Sequence, residues 1–196
     1  MLATEFLHGQ GLGNQLFAYV TTRMLAHKLG YDFGIKGLKS AGDSRVNQKG
    51  FYFMDLDYGK EVPDNLERYD EYRHAHVTDA WLKTDIRLTD KRLLRIKDNR
   101  IIYGNLQSEE YFGDRLDLVK QWLKVKEEYE HMDTNGKNMC VLNFRGGDMI
   151  GNAGAYVPRS YWDNAIHRMA EYNSQMEFCI VTDDVKTANE MLPEYP

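Results

Sequence analysis

A glycine at every second position from Gly9 to Gly13, between a short apolar run (Phe6-Leu7) and an amphipathic stretch, constrains this chain more than any other feature. Glycine lets the main chain turn tightly and lets another molecule approach it closely. Residues 3 to 8 read as a short strand, and Asn14 and Gln15 open the helix beyond the glycines. Leu16, Phe17, Val20, Met24 and Ala26 recur near helical spacing up to about Leu29, and Gly30 supplies a stop. Tyr31 to Ile35 reads as a second strand. Strand, loop, helix and strand in that order form the unit from which parallel sheets are built.

Arg100-Ile101-Ile102-Tyr103-Gly104 reads as a buried strand. Ser108 is placed to cap a helix with Glu109 and Glu110 in its first turn, interrupted at Gly113 and carrying Leu116, Val119 and Leu123. Between residues 36 and 100 the chain is rich in Asp, Tyr, Arg and Lys, and reads as loops and short helices over one sheet edge. Polar residues 133 to 138 mark a domain boundary, with one unit over 1–133 and a second from 134 to 196. The second begins with a strand at Met139–Phe144, continues with a helix over Ser160–Asn173 whose inner side carries Tyr161, Ala165, Ile166 and Met169, and returns as a strand at Phe178–Val181. Two strands do not close a sheet, so the sequence is expected to be a piece of a longer protein.

With 196 residues, 42% hydrophobic and 28% charged, the composition is that of a globular protein. The net charge of -5 argues against nonspecific binding to nucleic acid. No apolar run approaches the ~20 residues that span a bilayer, and the start of the chain lacks the pattern of a secretory signal. The expected location is the cytoplasm, including the inner membrane's cytosolic surface. Cys140 and Cys179 fall in expected strands and read as reduced apolar filling. His74 and His76, one residue apart, read as a polar surface pair.

Three clusters have the chemistry of a ligand site. In the first, the backbone of Gly11 and Gly13 and the amides of Asn14 and Gln15 point toward one crevice at a helix start. It departs from the dinucleotide fingerprint because Asn14 stands where the third glycine belongs, and no acid closes the second strand; a plain tight turn is the alternative. In the second, Asn143-Phe144-Arg145-Gly146-Gly147-Asp148, a guanidinium after a buried strand can hold phosphate oxygens in pairs, beside glycines that leave room for a diphosphate. A structural Arg–Asp pair is the alternative. Asp148 is a candidate catalytic carboxylate of open role. In the third, Asp183 and Asp184 follow a strand end, where they can bind a sugar or cap the next helix. Asp55-Leu56-Asp57 has the spacing of a metal-holding Asp-x-Asp pair, though a solvated turn explains it better.

These segments together resemble glycosyltransferase family 11, the α-1,2-fucosyltransferases. The family's Gly-Leu-Gly-Asn-Gln-hydrophobic-Phe-x-Tyr is similar to Gly11 through Tyr19, its Gln-Ser-Glu-x-Tyr-Phe to Gln107–Phe112, and its His-x-Arg-Arg-x-Asp to Asn143–Asp148. Its later Tyr-Tyr/Trp, Ala-Ile and Ser/Thr-Asp-Asp resemble Tyr161-Trp162, Ala165-Ile166 and Thr182-Asp183-Asp184. Two positions depart: Asn143 stands for the family's His and Gly146 for its second Arg. The family's later Ser-x-Phe-x-Trp-Trp segment is absent from this sequence. The resemblance implies a GT-B arrangement of two Rossmann-like lobes, an acceptor-side lobe over 1–133 and the start of a donor lobe over 134–196. It implies inverting transfer of L-fucose from GDP-β-L-fucose to a glycan hydroxyl, often galactose O2, without metal or cofactor. Arg145 would stabilise the departing diphosphate, while Asn143, Gly147, Asp183, Asp184 and the first cluster would bind substrate. A noncatalytic relative that retains only sugar or nucleotide binding is the alternative.

Overall fold

The computed structural model describes residues 1–6, 11–36, 54–72, 89–130, 138–147 and 157–192. Its contacts divide the chain into two units, Met1–His131 and Met132–Pro196; the sequence places the division at 133/134.

The first unit is built on a four-stranded parallel sheet. Strand β1 (Leu2–Glu5) leads to helix α1 (Leu12–Leu29) and strand β2 (Phe33–Lys36). β3 (Met54–Asp55) is a two-residue strand outside this sheet. β4 (Glu67–Asp70) and β5 (Arg100–Tyr103) complete the order β2-β1-β5-β4. After β5 the chain makes two 3-10 turns, Glu109–Tyr111 and Gly113–Arg115. A short helix α2 (Leu116–Trp122) follows, then β6 (Lys124–Val125), which pairs antiparallel with β3.

The strand–helix–strand order holds, with shifted ends, and residues 7–10 of the glycine segment lie outside the described residues. α1 starts at Leu12, with Gly11 rather than Asn14 preceding the first turn, and it stops at Gly30 in the left-handed conformation (φ 72°). The amide of Tyr31 then reaches back to the Ala26 carbonyl at 2.9 Å, satisfying a helix-end acceptor. Apart from half-buried Arg23, every residue from Ala18 to Ala26 is buried. One face packs on Leu2, Ile35 and Ile102, and residues 93–95 and 109–111 cover another. Buried Thr4 and Thr21 satisfy their hydroxyls on the carbonyls of Ile102 and Leu106, each at 3.1 Å.

Two expectations are corrected. Residues 36 to 100 include β4, a true sheet strand. Its sequence Glu-Arg-Tyr-Asp escapes a hydrophobic-pattern reading because it is an edge strand with mostly exposed side chains. The long helix expected after Ser108 is two 3-10 turns and seven α-helical residues. Ser108 still caps its turn, accepting from the Glu110 amide at 3.3 Å.

The second unit contains β7 (Met139–Phe144), α3 (Arg159–Tyr172), β8 (Glu177–Thr182) and α4 (Val185–Met191), with β7 and β8 paired in parallel. Leu142, Phe144, Trp162, Ile166, Ala188 and Leu192 form its core. Trp162 takes the inward position that the sequence reading gave to Tyr161, which is exposed. Cys140 pairs in register with Phe178 and Cys179 with Val141, so the two thiols lie on opposite faces of the sheet and are free.

Gly59 provides a stability test. It has φ 74°, and a Cβ there would sit 2.2 Å from the Phe33 carbonyl oxygen. Left-handed strain alone costs about 1–2 kcal/mol, so Gly59→Ala should destabilise the first unit by at least that much in urea denaturation, with an unchanged slope.

Candidate functional site

In parallel sheets of this kind ligands bind beyond the carboxyl ends of the strands, so those two edges are where site residues belong.

In the second unit, Arg145 follows β7 and Asp183 follows the neighbouring β8. The amides of Gly146 and Gly147 both donate to Asp183 Oδ1, at 2.9 and 3.3 Å. Arg145 Nε lies 3.8 Å from Asp183 Oδ2, an ion contact longer than a hydrogen bond, with its side chain 54% exposed. One cation and two backbone amides thus converge on one carboxylate. This is anion-binding chemistry, and the anion it holds is the chain's own.

A side chain would be crowded there, most of all at position 146. A Cβ on Gly146 would stand 2.9 Å from Asp184 Cβ and 3.1 Å from the Phe144 ring, and one on Gly147 would stand 3.0 Å from Asp183 Oδ2. The arginine of the family pattern at position 146 therefore has no room in this arrangement. Asp184 caps α4: its carboxylate accepts from the Thr187 amide at 3.0 Å and the Thr187 hydroxyl at 2.7 Å. The Thr187 hydroxyl, then the Thr187 amide, hold its carboxyl below the usual range. Of the two readings of Asp184, capping is the one its contacts display. Asn143 is exposed on β7, in register with Val181. Asp148 lies outside the described residues, as do Gly9, His74 and His76.

In the first unit, the segments leaving β1 and β5 meet. Gln107 Nε2 donates to Asn14 Oδ1 at 2.6 Å across 93 residues of chain. The bond joins two segments that the sequence reading picked out separately. Gln15 is 2% exposed, so its side chain belongs to the interior, whereas Gly13 is exposed and Gly11 and Asn14 are half-buried.

Gln107 is held by a buried polar network that sequence reasoning missed. Leu106 precedes it with φ 52°, and its amide donates to Glu71 Oε2 at 3.0 Å. Tyr111 donates its hydroxyl to Glu71 Oε1 at 3.3 Å and accepts from the Asp90 amide at 2.8 Å. Asp90, 5% exposed, accepts from the Tyr69 hydroxyl, the Tyr72 amide and the Arg92 guanidinium at 2.7–2.9 Å. Burial opposes its charge, but the bonds from Arg92, Tyr72 and Tyr69 outweigh burial and hold its carboxyl well below the ordinary range. The Tyr69 phenol is pushed up to about 12, first by burial and then by Asp90. Isolated Asp and Tyr residues in a polar stretch give no sequence signal for such a network.

Asp57 is engaged structurally. It accepts from Arg23 at 2.8 Å and from the Gly59 amide at 2.9 Å, as a turn residue does. Among the described residues, no three His, Cys, Asp or Glu side chains are grouped to hold a metal ion. Nor is any described helix long and apolar enough to cross a membrane. A cleft of about 350 Å³ lies at the amino end of β2, bordered by Arg23, Trp122, Asp57, Lys60 and Asp32. Its charges pair with each other, Arg23 with Asp57 and Lys60 with Asp32, both at 2.8 Å.

Comparison with protein-family models, curated proteins and solved structures finds no match to this chain.

The Asp90 network has a pH signature. A carboxyl depressed in the folded state stabilises the fold above its unfolded pKa of about 3.9, and that contribution fades as pH falls through the folded value. Asp90→Asn should cost about 1.5–3 kcal/mol at pH 7, the range for hydrogen bonds to a charged group. In denaturation series the gap between variant and wild type should narrow below pH 4. For the second unit, Gly146→Ala should lower thermal stability, because the new Cβ displaces the helix cap at Asp184.

Proposed function

We propose that this chain is a glycosyltransferase of the α-1,2-fucosyltransferase type. It moves L-fucose from GDP-β-L-fucose to a glycan hydroxyl of the galactose O2 class, with inversion and without a metal ion. The proposal includes a GT-B organisation, in which the first Rossmann-like unit serves the acceptor and the second serves the nucleotide sugar.

The observation that carries this reading is the convergence of Arg145 with the Gly146 and Gly147 amides at the tip of β7. As the sugar–phosphate bond breaks, negative charge grows on the departing diphosphate. A guanidinium answers that charge without proton transfer and binds two oxygens in a fixed geometry. The glycine amides add dipoles that need no reorganisation, and removal of one such preorganised donor typically costs about 2.7–4 kcal/mol of barrier. The arginine takes the electrostatic role that a divalent cation fills in other transferases. Asp183 keeps the loop's donors aligned in the absence of a diphosphate, which then competes for the same amides. The sequence motifs at Gly11–Tyr19, Gln107–Phe112 and Thr182–Asp184 support the choice of sugar donor.

A second reading, a binder without transfer, is favoured by the exposed Asn143 in place of histidine and by the lack of room for a second arginine at Gly146. Calorimetry with GDP and a transfer assay with GDP-fucose and a panel of galactosides separate the two. Transfer supports the enzyme, and GDP binding with no transfer supports the binder.

In the transferase reading, Arg145→Ala lowers kcat at least tenfold while Arg145→Lys retains part of it, and unchanged turnover in Arg145→Ala removes the residue from the mechanism. Chelation of divalent ions leaves turnover unaltered. Activity that disappears with EDTA and returns with manganese sinks the metal-free mechanism.

A further inference from the structure

The backbone and the side chain of Asp183 are held in different ways. The register pairs Phe144 with Thr182, so Arg145 and Asp183 leave the tips of β7 and β8 side by side. Beyond Asp183 the backbone is anchored. The Asp184 amide donates to the Thr182 hydroxyl at 3.0 Å, and the Asp184 carboxylate holds the Thr187 amide and hydroxyl at the start of α4.

The Asp183 carboxylate, by contrast, is 41% exposed and meets the loop through surface contacts. Its Oδ1 accepts from both the Gly146 and the Gly147 amide, and its Oδ2 faces Arg145 Nε at 3.8 Å, beyond hydrogen-bond distance. Solvent screens such a contact, so it is weaker than a buried one. Rotation about the Asp183 side-chain bonds vacates both amides and leaves the helix cap at Asp184 in place.

The space at the glycines is also taken by this carboxylate. A Cβ on Gly147 would stand 3.0 Å from Asp183 Oδ2 and 3.3 Å from its carboxyl carbon. The room that the missing side chain opens, which the sequence reading gave to a diphosphate, is therefore filled by Asp183. The two amides cannot serve a second anion while they hold this one. An incoming phosphate must either sit beside a like charge or displace it. Where it displaces, its apparent affinity falls in proportion to the fraction of molecules whose donors are vacant.

We infer that Asp183 is a self-inhibitory carboxylate, an internal competitor that swings out of the Arg145–Gly147 loop before a phosphate-bearing ligand binds and returns when the ligand leaves. The resemblance places Asp183 among the residues that bind substrate, whereas its contacts set it against the substrate's anionic group. The inference rests on the reading of this loop as a diphosphate site and deepens it by naming what regulates access. In a transferase the returning carboxylate loosens the hold on the spent diphosphate and so favours product release.

The test is calorimetric titration of the full chain with inorganic pyrophosphate. Asp183→Asn keeps an oxygen acceptor for the glycine amides and removes the charge, so the loop keeps its donors aligned while the competitor weakens. It should bind pyrophosphate at least fivefold more tightly than wild type. Glu177→Gln makes the same change of charge at the exposed first residue of β8, the far end of the strand, and should stay within twofold of wild type. Dispersed amide spectra establish that each variant is folded. In wild type, where no variant is needed, saturating pyrophosphate should shift the Asp183 side-chain carboxyl carbon together with the Gly146 and Gly147 amides. Three results overturn the inference: no tightening in folded Asp183→Asn, an equal gain in Glu177→Gln, or pyrophosphate binding to wild type that leaves the Asp183 carboxyl unmoved. Transfer from GDP-fucose, assayed in parallel, keeps the two proposals apart. Tighter pyrophosphate binding in Asp183→Asn with no transfer by wild type leaves the competitor standing and removes the transferase. Transfer by wild type with no tightening in Asp183→Asn removes the competitor alone.

Discussion

The parallel pairing of β1 with β2 on one side and β5 on the other is the constraint from which the first unit follows. It buries Leu2, Ala3 and Thr4 almost completely, and so requires a strand without charge until its last residue. Glu5 arrives where the strand stops. The same pairing brings the start of α1 beside the segment that follows β5, so Asn14 and Gln107 can bond at all. Thr4, the one polar side chain inside that run, is accommodated because its hydroxyl reaches the carbonyl of Ile102.

The two units share parallel pairing of their strands. Each places a polar loop beyond the tips of parallel strands. In the first, among the described residues, Lys36 pairs with Asp64 and Arg68 with Asp70, and the Tyr103 phenol donates to Glu5. In the second, Arg145 and two glycine amides surround the Asp183 carboxylate, so the loop is already arranged around an anion.

Local chemistry and hydrophobic spacing made much of this readable. The glycine run, the apolar spacing of α1 and the Gly30 stop announce β1-α1-β2, because each signal acts within a few residues. The apolar runs of β5, β7 and β8 were readable for the same reason. β4 was not: an edge strand needs neither alternation nor hydrophobicity, and Glu-Arg-Tyr-Asp has the composition of a loop. Helix spacing alone could not choose between Tyr161 and Trp162, because Tyr161 lies four residues before Ala165 and Trp162 four before Ile166, and the larger ring took the core against Phe144. Asp57 was legible as a turn, and its contacts with Gly59 and Arg23 are those of one.

The sequence by itself determined the elements whose signals are local: a glycine turn that opens a helix, a strand followed by an arginine and two glycines, an aspartate at a helix start. Tertiary structure alone decided which residues meet. Asn14 finds Gln107, Glu5 finds Tyr103, Asp183 turns to the amides after β7, and Asp90 gathers Tyr69, Tyr72 and Arg92. The physical reason is range. Backbone preferences and hydrophobic periodicity act over a few residues, whereas hydrogen bonds and charge pairs between distant segments exist only after parallel pairing has fixed which strand tips are neighbours.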